Sequence, residues 1–232
     1  MRGFLILLVV AIGLVVGDRV GVAMAQDEIA SKIATEYHLA QRPSVTIGGI
    51  PFLTQAVRGR YDDVEIRAGE WSDQGISVRD LDVTLTGVSA PLGDLLASRT
   101  SNLEASTATA TALVPYDTVK GYAPSGVESI SHSPDGVRVA GTFEVEGIPV
   151  PVPATVVVTV NPTADGIEVV PVSVQSAMGG PTISLAWLRQ SLTFTVPLQK
   201  LPLGARLTAI EPEADGLRVT AVAQDVRFSD LP

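Results

Sequence analysis

Two histidines, His38 and His132, are the only imidazoles in a chain of 232 residues that has no cysteine. Neither falls in an HxxxH or HExxH spacing, so no zinc ligand set can be read, and both fit ordinary surface positions. Without cysteine there is no disulfide, iron–sulfur cluster, thiol nucleophile or lipidated cysteine. No GxSxG, GxGxxG or phosphate-loop pattern occurs, and no cofactor is expected. The closest carboxylate pairs are Asp62 with Asp63 and Asp80 with Asp82. An enzyme acting on a lipid or glycan would need one of them to meet another acid in a cleft, and nothing nearby in the sequence supplies that partner. Catalysis is therefore not expected. Arg58 and Arg60 are candidates of another kind, because a guanidinium bonds two phosphate oxygens at once. Asp62 and Asp63 beside them give the competing reading, local ion pairs on a solvated turn.

Any such residue must be positioned by an aliphatic, β-rich chain. Hydrophobic residues make up 46% of the sequence and aromatic ones only 5%, which favours strands with smooth aliphatic faces. Lys and Arg number 16 against 25 Asp and Glu, a formal balance of −9, so a nucleic-acid partner is not expected. Arg2 precedes the uncharged run 3–17, and Ala23-Met24-Ala25 has the small-x-small form of a signal peptidase site. These features predict export to the periplasm or cell envelope. Residues 1–25 are then either a signal removed after Ala25 or an uncleaved membrane anchor. The run is shorter than the ~20 residues that span a hydrocarbon core, and Asp18-Arg19 interrupts it. Residues 26–232 are expected to form a single α+β domain.

Ile29, Ile33 and Tyr37 recur every four residues, with Glu28 four before Lys32, predicting an amphipathic helix over 27–40. A strand over 44–47 and a short helix opened by Pro51 follow. Phe52, Leu53, Ala56 and Val57 form that helix's apolar stripe, and Gly59 stops it. Apolar positions change parity near Arg79-Asp80, which predicts a bulge in the strand there. A second short helix over 91–98 carries Leu92 and Leu95, and a third over 183–190 carries Trp187. The strand over 103–114 is poor in charge on both faces. A helical turn over 116–122 comes next. The Asp-Gly pairs at 135–136, 165–166 and 215–216 predict antiparallel hairpins, and prolines 149, 151, 153 and 171 predict edges or bends. The last strand spans about 217–228. Periodicity alone assigns the three helical stripes to an ordinary core.

The stretch VTIGGIPFLTQAVRGRYDDV over 45–64 resembles the signature of the actinobacterial LmeA-like family of phospholipid-binding envelope proteins. The exported helix before it, LDVTL at 81–85 and PLGDLL at 91–96 extend the resemblance, which covers roughly residue 27 to the C-terminus. The resemblance implies a tubular-lipid-binding-like fold: a long curved antiparallel sheet wrapped around a few helices, holding acyl chains in an elongated apolar cavity. It further implies a non-catalytic role and a phospholipid ligand of phosphatidylinositol type. A membrane surface and envelope glycosyltransferases are the expected partners, and the protein would support lipomannan assembly, by transfer or sequestration. On that reading Phe52, Leu53, Val57, Leu92, Leu95 and Trp187 contact acyl chains, and Arg58 and Arg60 hold the headgroup. The alternative class is a scaffolding envelope protein that contacts glycosyltransferases without enclosing lipid.

Overall fold

The N-terminal segment folds as one helix, α1 (Arg2–Glu36), rather than as an apolar run followed by a separate helix over 27–40. The computed structural model describes residues 2–73, 76–91, 94, 102–143, 151–164, 166–176, 194–197 and 201–230. No proline precedes Pro43, and isolated charges or glycines do not break a helix. It closes at Glu36 because His38 adopts φ +51° and the Leu39 N–H donates to the Ala34 carbonyl at 3.0 Å, a closure that more often uses glycine. Tyr37, expected on the apolar stripe, lies past the helix end and is exposed. The Glu28–Lys32 pair forms on the solvent side at 3.7 Å.

One stripe of α1 docks on the body. Val22 and Ala30 are buried in the core, and Ala25, Ile29 and Ile33 pack against it. Asp18 is buried on the same stripe, four residues before Val22. Leu14 and Val15 continue that stripe by helical spacing but are 64% and 60% exposed. The helix therefore runs beyond the body on which it docks.

The strands divide into two antiparallel sheets, where a single long sheet was expected. The first contains β1 (Ser44–Ile47), β2 (Arg60–Asp73), β3 (Ile76–Ser89), β4 (Glu104–Pro115), β10 (Arg206–Pro212) and β11 (Gly216–Arg227), in the order β1-β2-β3-β4-β11-β10. The second runs in sequence order through β5 (Val127–Ser133), β6 (Gly136–Phe143), β7 (Val152–Pro162), β8 (Gly166–Ser176) and β9 (Phe194–Pro197). Helix α2 (Phe52–Arg58) joins β1 to β2, and α3 (Tyr116–Lys120) carries the chain from the first sheet to the second. Each sheet has its own cluster of buried side chains. One lies between the first sheet and α1 and α2, centred on Phe52, Val64, Leu85 and Val226. The other joins α3 and the second sheet to β10 and β11, through Tyr116, Val156, Ile210 and Leu217. The fold is thus α+β, mostly antiparallel sheet with few helices, as expected.

Bulges interrupt the ladders where the sequence changes parity. Between Arg79 and Asp82 the β3–β4 register slips, with Asp80 at φ +49°. Asp225 also adopts a positive φ, +51°, but the β11–β4 register is the same on both sides of it, so no bulge forms there. Around buried Pro171, Val157 pairs with Ser173 but Val158 pairs with Pro171, leaving Val172 unpaired. Each bulge bends its strand and raises the local twist. Pro153, by contrast, does not delay β7, which begins at Val152. Pro153 lies one residue before the last described β7–β8 pair, Ala154–Ser176, near the end of the strand where a missing N–H is tolerated.

The Asp-Gly pairs at 135–136 and 215–216 turn β5 into β6 and β10 into β11, as predicted, and Gly166 opens β8 after β7. Turn conformation is only part of the reason for glycine. At Gly136, with φ +140°, a Cβ would lie 2.4 Å from the Val158 carbonyl oxygen, and at Gly216 it would lie 2.2 Å from that of Val114. Both obstacles belong to the next strand of the sheet, not to the turn. Gly136→Ala is expected to cost about 1–3 kcal/mol through overpacking against β7, read as a lower urea midpoint. Gly17→Ala, on a helix with open space around it, should leave stability equal or higher.

Candidate functional site

The groups able to do chemistry are dispersed. His38 and His132 are both exposed, and among the described residues no three His, Asp or Glu side chains gather as a metal site would require. Arg67 donates to Asp82 at 3.0 Å and also pairs with Glu65; the bond to Asp82, then the charge of Glu65, holds the guanidinium above its ordinary pKa. Asp82 is therefore half of a surface ion pair. Arg218 grips Glu213 with two bonds, 2.5 and 3.0 Å, and holds that carboxyl below the usual glutamate range. Tyr116 donates to the Glu213 carbonyl at 2.8 Å, and burial, followed by the Glu213 charge, pushes its phenol up. An open groove of about 660 Å³ crosses the first sheet near Arg60, Asp62, Glu104 and Arg227. Charged side chains line it, which suits water better than an acyl chain.

The segment 45–64 is an interlocked unit. The Gln55 side chain donates to the Gly48 carbonyl at 3.0 Å and accepts the Asp62 N–H at 2.9 Å. A Cβ on Gly48 would fall 2.2 Å from the Asp63 carboxylate, and one on Gly49 would fall 2.8 Å from that of Asp62. Both aspartates therefore pack on the Gly-Gly loop. Gly59 ends α2 in the left-handed conformation at φ +65°. Its carbonyl accepts the Ala90 N–H at 2.9 Å, and a Cβ there would meet the Pro91 backbone at 2.9 Å. The glycines of this stretch are thus fixed by close approach.

Helix α2 lacks a capping side chain of its own, since Pro51 occupies its N-cap. The buried Asp18 carboxylate of α1 takes that place, accepting the Leu53 N–H at 2.7 Å. A carboxylate at this end also opposes the helix dipole favourably. Beside it, α2 packs over Gly21: a Cβ there would be in ordinary contact, 3.5 Å from Leu53 Cδ2 and 3.6 Å from the Phe52 ring. Phe52 and Ala56 face the core, Phe52 against Tyr61 with ring centroids 6.1 Å apart. Burial pushes the Tyr61 phenol up.

The expected stripe on α2 is therefore split. Phe52 is inside, whereas Leu53 is 43% exposed and Val57 79% exposed, with Ile50 exposed before them. Arg58 and Arg60 are exposed, and neither makes an ion pair or side-chain hydrogen bond among the described residues. The local pairing with Asp62 and Asp63 does not form, because those carboxylates turn toward Gly48 and Gly49. Leu92, Leu95 and Trp187, with the helices predicted over 91–98 and 183–190, lie outside the described residues, apart from Pro91 and Asp94.

Strand register reveals an apolar row that helix stripes alone did not. Ile66 pairs with Val83, Val83 with Ala110, Ala110 with Ala221, and Ala221 with Leu207. Directly paired residues share a face, so the row crosses β2, β3, β4, β11 and β10. Four interstrand steps make it about 19 Å long. All five side chains are half-buried. Ile66 and Val83 pack on the first core and Leu207 on the second, so the row bridges the two. The parallel row through Val64, Leu85, Ala108 and Ala223 is fully buried. Alanines stand at the centre of the half-buried row, where larger side chains would rise further above the sheet.

Residues 16–222 match a protein family described as LmeA-like phospholipid-binding. No curated protein and no solved structure matches the chain. The family match begins inside α1 and takes in Asp18, Gly21 and Val22 together with the whole of α2. Removing the tertiary cap should loosen α2 specifically: Asp18→Ala is expected to cost about 1 kcal/mol. Hydrogen exchange at the Leu53 amide should accelerate, while amides in β7 should be unchanged.

Proposed function

The chain belongs to the LmeA-like phospholipid-binding family, and from that premise we propose that it is an exported, non-catalytic protein of the cell envelope that shelters one phospholipid and supports lipoglycan assembly. The observation that supports this reading is the half-buried row Ile66–Val83–Ala110–Ala221–Leu207, which we take as the floor of the proposed elongated apolar cavity. A two-chain lipid carries on the order of 30 methylenes at ~0.8 kcal/mol each, so a protein that draws it from a bilayer must replace nearly all of that contact. An uncharged floor about 19 Å long supplies part of it, and the apolar faces of Leu92, Leu95 and Trp187 are the proposed walls. Alanine at the centre of a wide sheet makes sense for a ligand with two flexible tails, since the depth must come from side chains too short to close it.

The headgroup proposed is of phosphatidylinositol type. Lipomannan assembly is the process served, with envelope glycosyltransferases taking the lipid or its product. Arg58 and Arg60, exposed and without an ion-pair partner among the described residues, support an anionic headgroup near α2. The half-buried floor residues support transfer rather than storage as the proposed role.

Lipid retained by gently purified protein, identified by native mass spectrometry, tests the proposal. One phospholipid per chain, enriched in phosphatidylinositol type, is expected. A chain that carries none, and moves none between labelled vesicles, would leave the scaffolding role instead. Ala221→Phe fills the middle of the floor without adding charge. It should lower lipid occupancy about tenfold while the melting temperature stays within a few degrees of the parent. Unchanged occupancy would move the lipid off this face.

A further inference from the structure

We propose that α1 is retained in the mature protein and that the apolar face it shares with α2 rests on an anionic phospholipid bilayer. This deepens the lipid-binding reading by naming the surface at which lipid is exchanged. Three observations lead to it. First, the docked half of α1 is part of the body: Asp18 caps α2 at 2.7 Å, Val22 is buried in the core, and Gly21 seats Phe52 and Leu53. Cleavage after Ala25 would remove all three and leave the Leu53 N–H without its acceptor. The family match, which starts at residue 16, also includes them.

Second, the exposed apolar side chains are not scattered. Val20 and Met24 of α1 are 54% and 70% exposed. They flank Gly21 on the helix, and Leu53 lies over Gly21. Val57 follows Leu53 by one turn of α2, and Ile50 precedes it, giving one continuous patch over both helices. The uncharged run 3–17 then continues α1 away from the body, with Leu14, Val15 and Val16 exposed. A patch that extends into a projecting apolar helix fits a bilayer better than a small protein partner.

Third, the charge beside the patch is complementary to anionic lipid. Arg19, Arg58 and Arg60 are all exposed and make no ion pair among the described residues. Arg19 and Arg58 adjoin Val20 and Val57 of the patch in sequence, and Arg60 follows two residues after Arg58, in a chain whose net balance is −9. Cations gathered at one greasy edge of an acidic protein orient that edge toward anionic headgroups and the rest of the molecule away from them. The patch also lies on the outer side of the helix whose inner side, Phe52 and Ala56, belongs to the core, so a bilayer holding Leu53 and Val57 bears directly on the element next to the apolar floor.

The chain has no cysteine, so single Val57→Cys and Leu53→Cys variants carry a polarity-sensitive fluorophore without further changes. With vesicles of phosphatidylglycerol and phosphatidylcholine, emission at both positions should shift to the blue, and a label at His132→Cys on the other sheet should not move. No shift at position 57, or an equal shift at 132, overturns the proposed surface. Arg58→Gln combined with Arg60→Gln should weaken the shift, and pure phosphatidylcholine should give less than the mixture; equality in both overturns the anionic part. The intact mass of C-terminally tagged protein from its native host should include residues 1–25, and a chain beginning at Gln26 overturns retention. Bound phospholipid without a shift at 57 removes this surface and leaves the lipid-binding reading standing, whereas a shift without bound lipid does the reverse.

Discussion

A carboxylate on an apolar helix has to be satisfied where it is buried, and the position of Asp18 follows from that requirement. The side chain has left water, so its oxygens need donors, and the free N–H groups at the start of α2 are donors without local partners. Each group solves the other's problem. The bond fixes the azimuth of α1, because only one rotation aims Asp18 at the Leu53 N–H while Val22 and Ile29 meet the core. It also fixes α2, since Pro51 offers nothing in place of Asp18. From α2 the constraint passes to β1 and β2 through Gln55, which ties the Gly48 carbonyl to the Asp62 N–H. The N-terminal helix, the short helix and the first edge of the sheet are therefore one mechanical piece.

The opposite economy governs the centre of the first sheet. A sheet that buries one face normally fills it with large aliphatic side chains, as Val64 and Leu85 do next to Phe52. β4 and β11 present alanines to each other in both rows, and one row further along, at Ala110 and Ala221, burial falls from complete to partial. The stability that larger residues would have supplied is given up along a line joining the two cores. Apolar surface left half exposed is unfavourable in water, by about 25 cal/mol for each Å². A ligand that covers it stabilises the folded state by mass action.

How much of this could be read beforehand depends on the range over which each residue acts. Local signals were legible: the Gly59 stop, the strand at 44–47, the hairpins, and the bulge at Arg79-Asp80, where a parity change in the apolar pattern has one simple explanation. The split of the α2 stripe was not. Phe52 and Leu53 are equally apolar, and which of them faces inward depends on α1 arriving over Gly21. Asp18 was visible only as an irregularity in an apolar run, because its partner is 35 residues away. The division into two sheets was hidden for a similar reason. Alternation shows that a strand has a buried face but not which strands share it. The alanine row needed the pairing register of five strands, which no single strand encodes.

The two cores and the two faces of α2 can now be joined in one sequence of contacts. The outer face of α2 carries Leu53 and Val57, its inner face carries Phe52 and Ala56, and Phe52 packs in the same cluster as Val64 and Leu85. Ile66 and Val83 extend that cluster into the half-buried row, which ends at Leu207 on the second core. A displacement of α2 therefore need not travel far to be felt where the sheet is least filled. Packed aliphatic contacts transmit displacement because they are nearly incompressible. The Asp18 bond ties α1 to α2, so a displacement of either helix is shared by both.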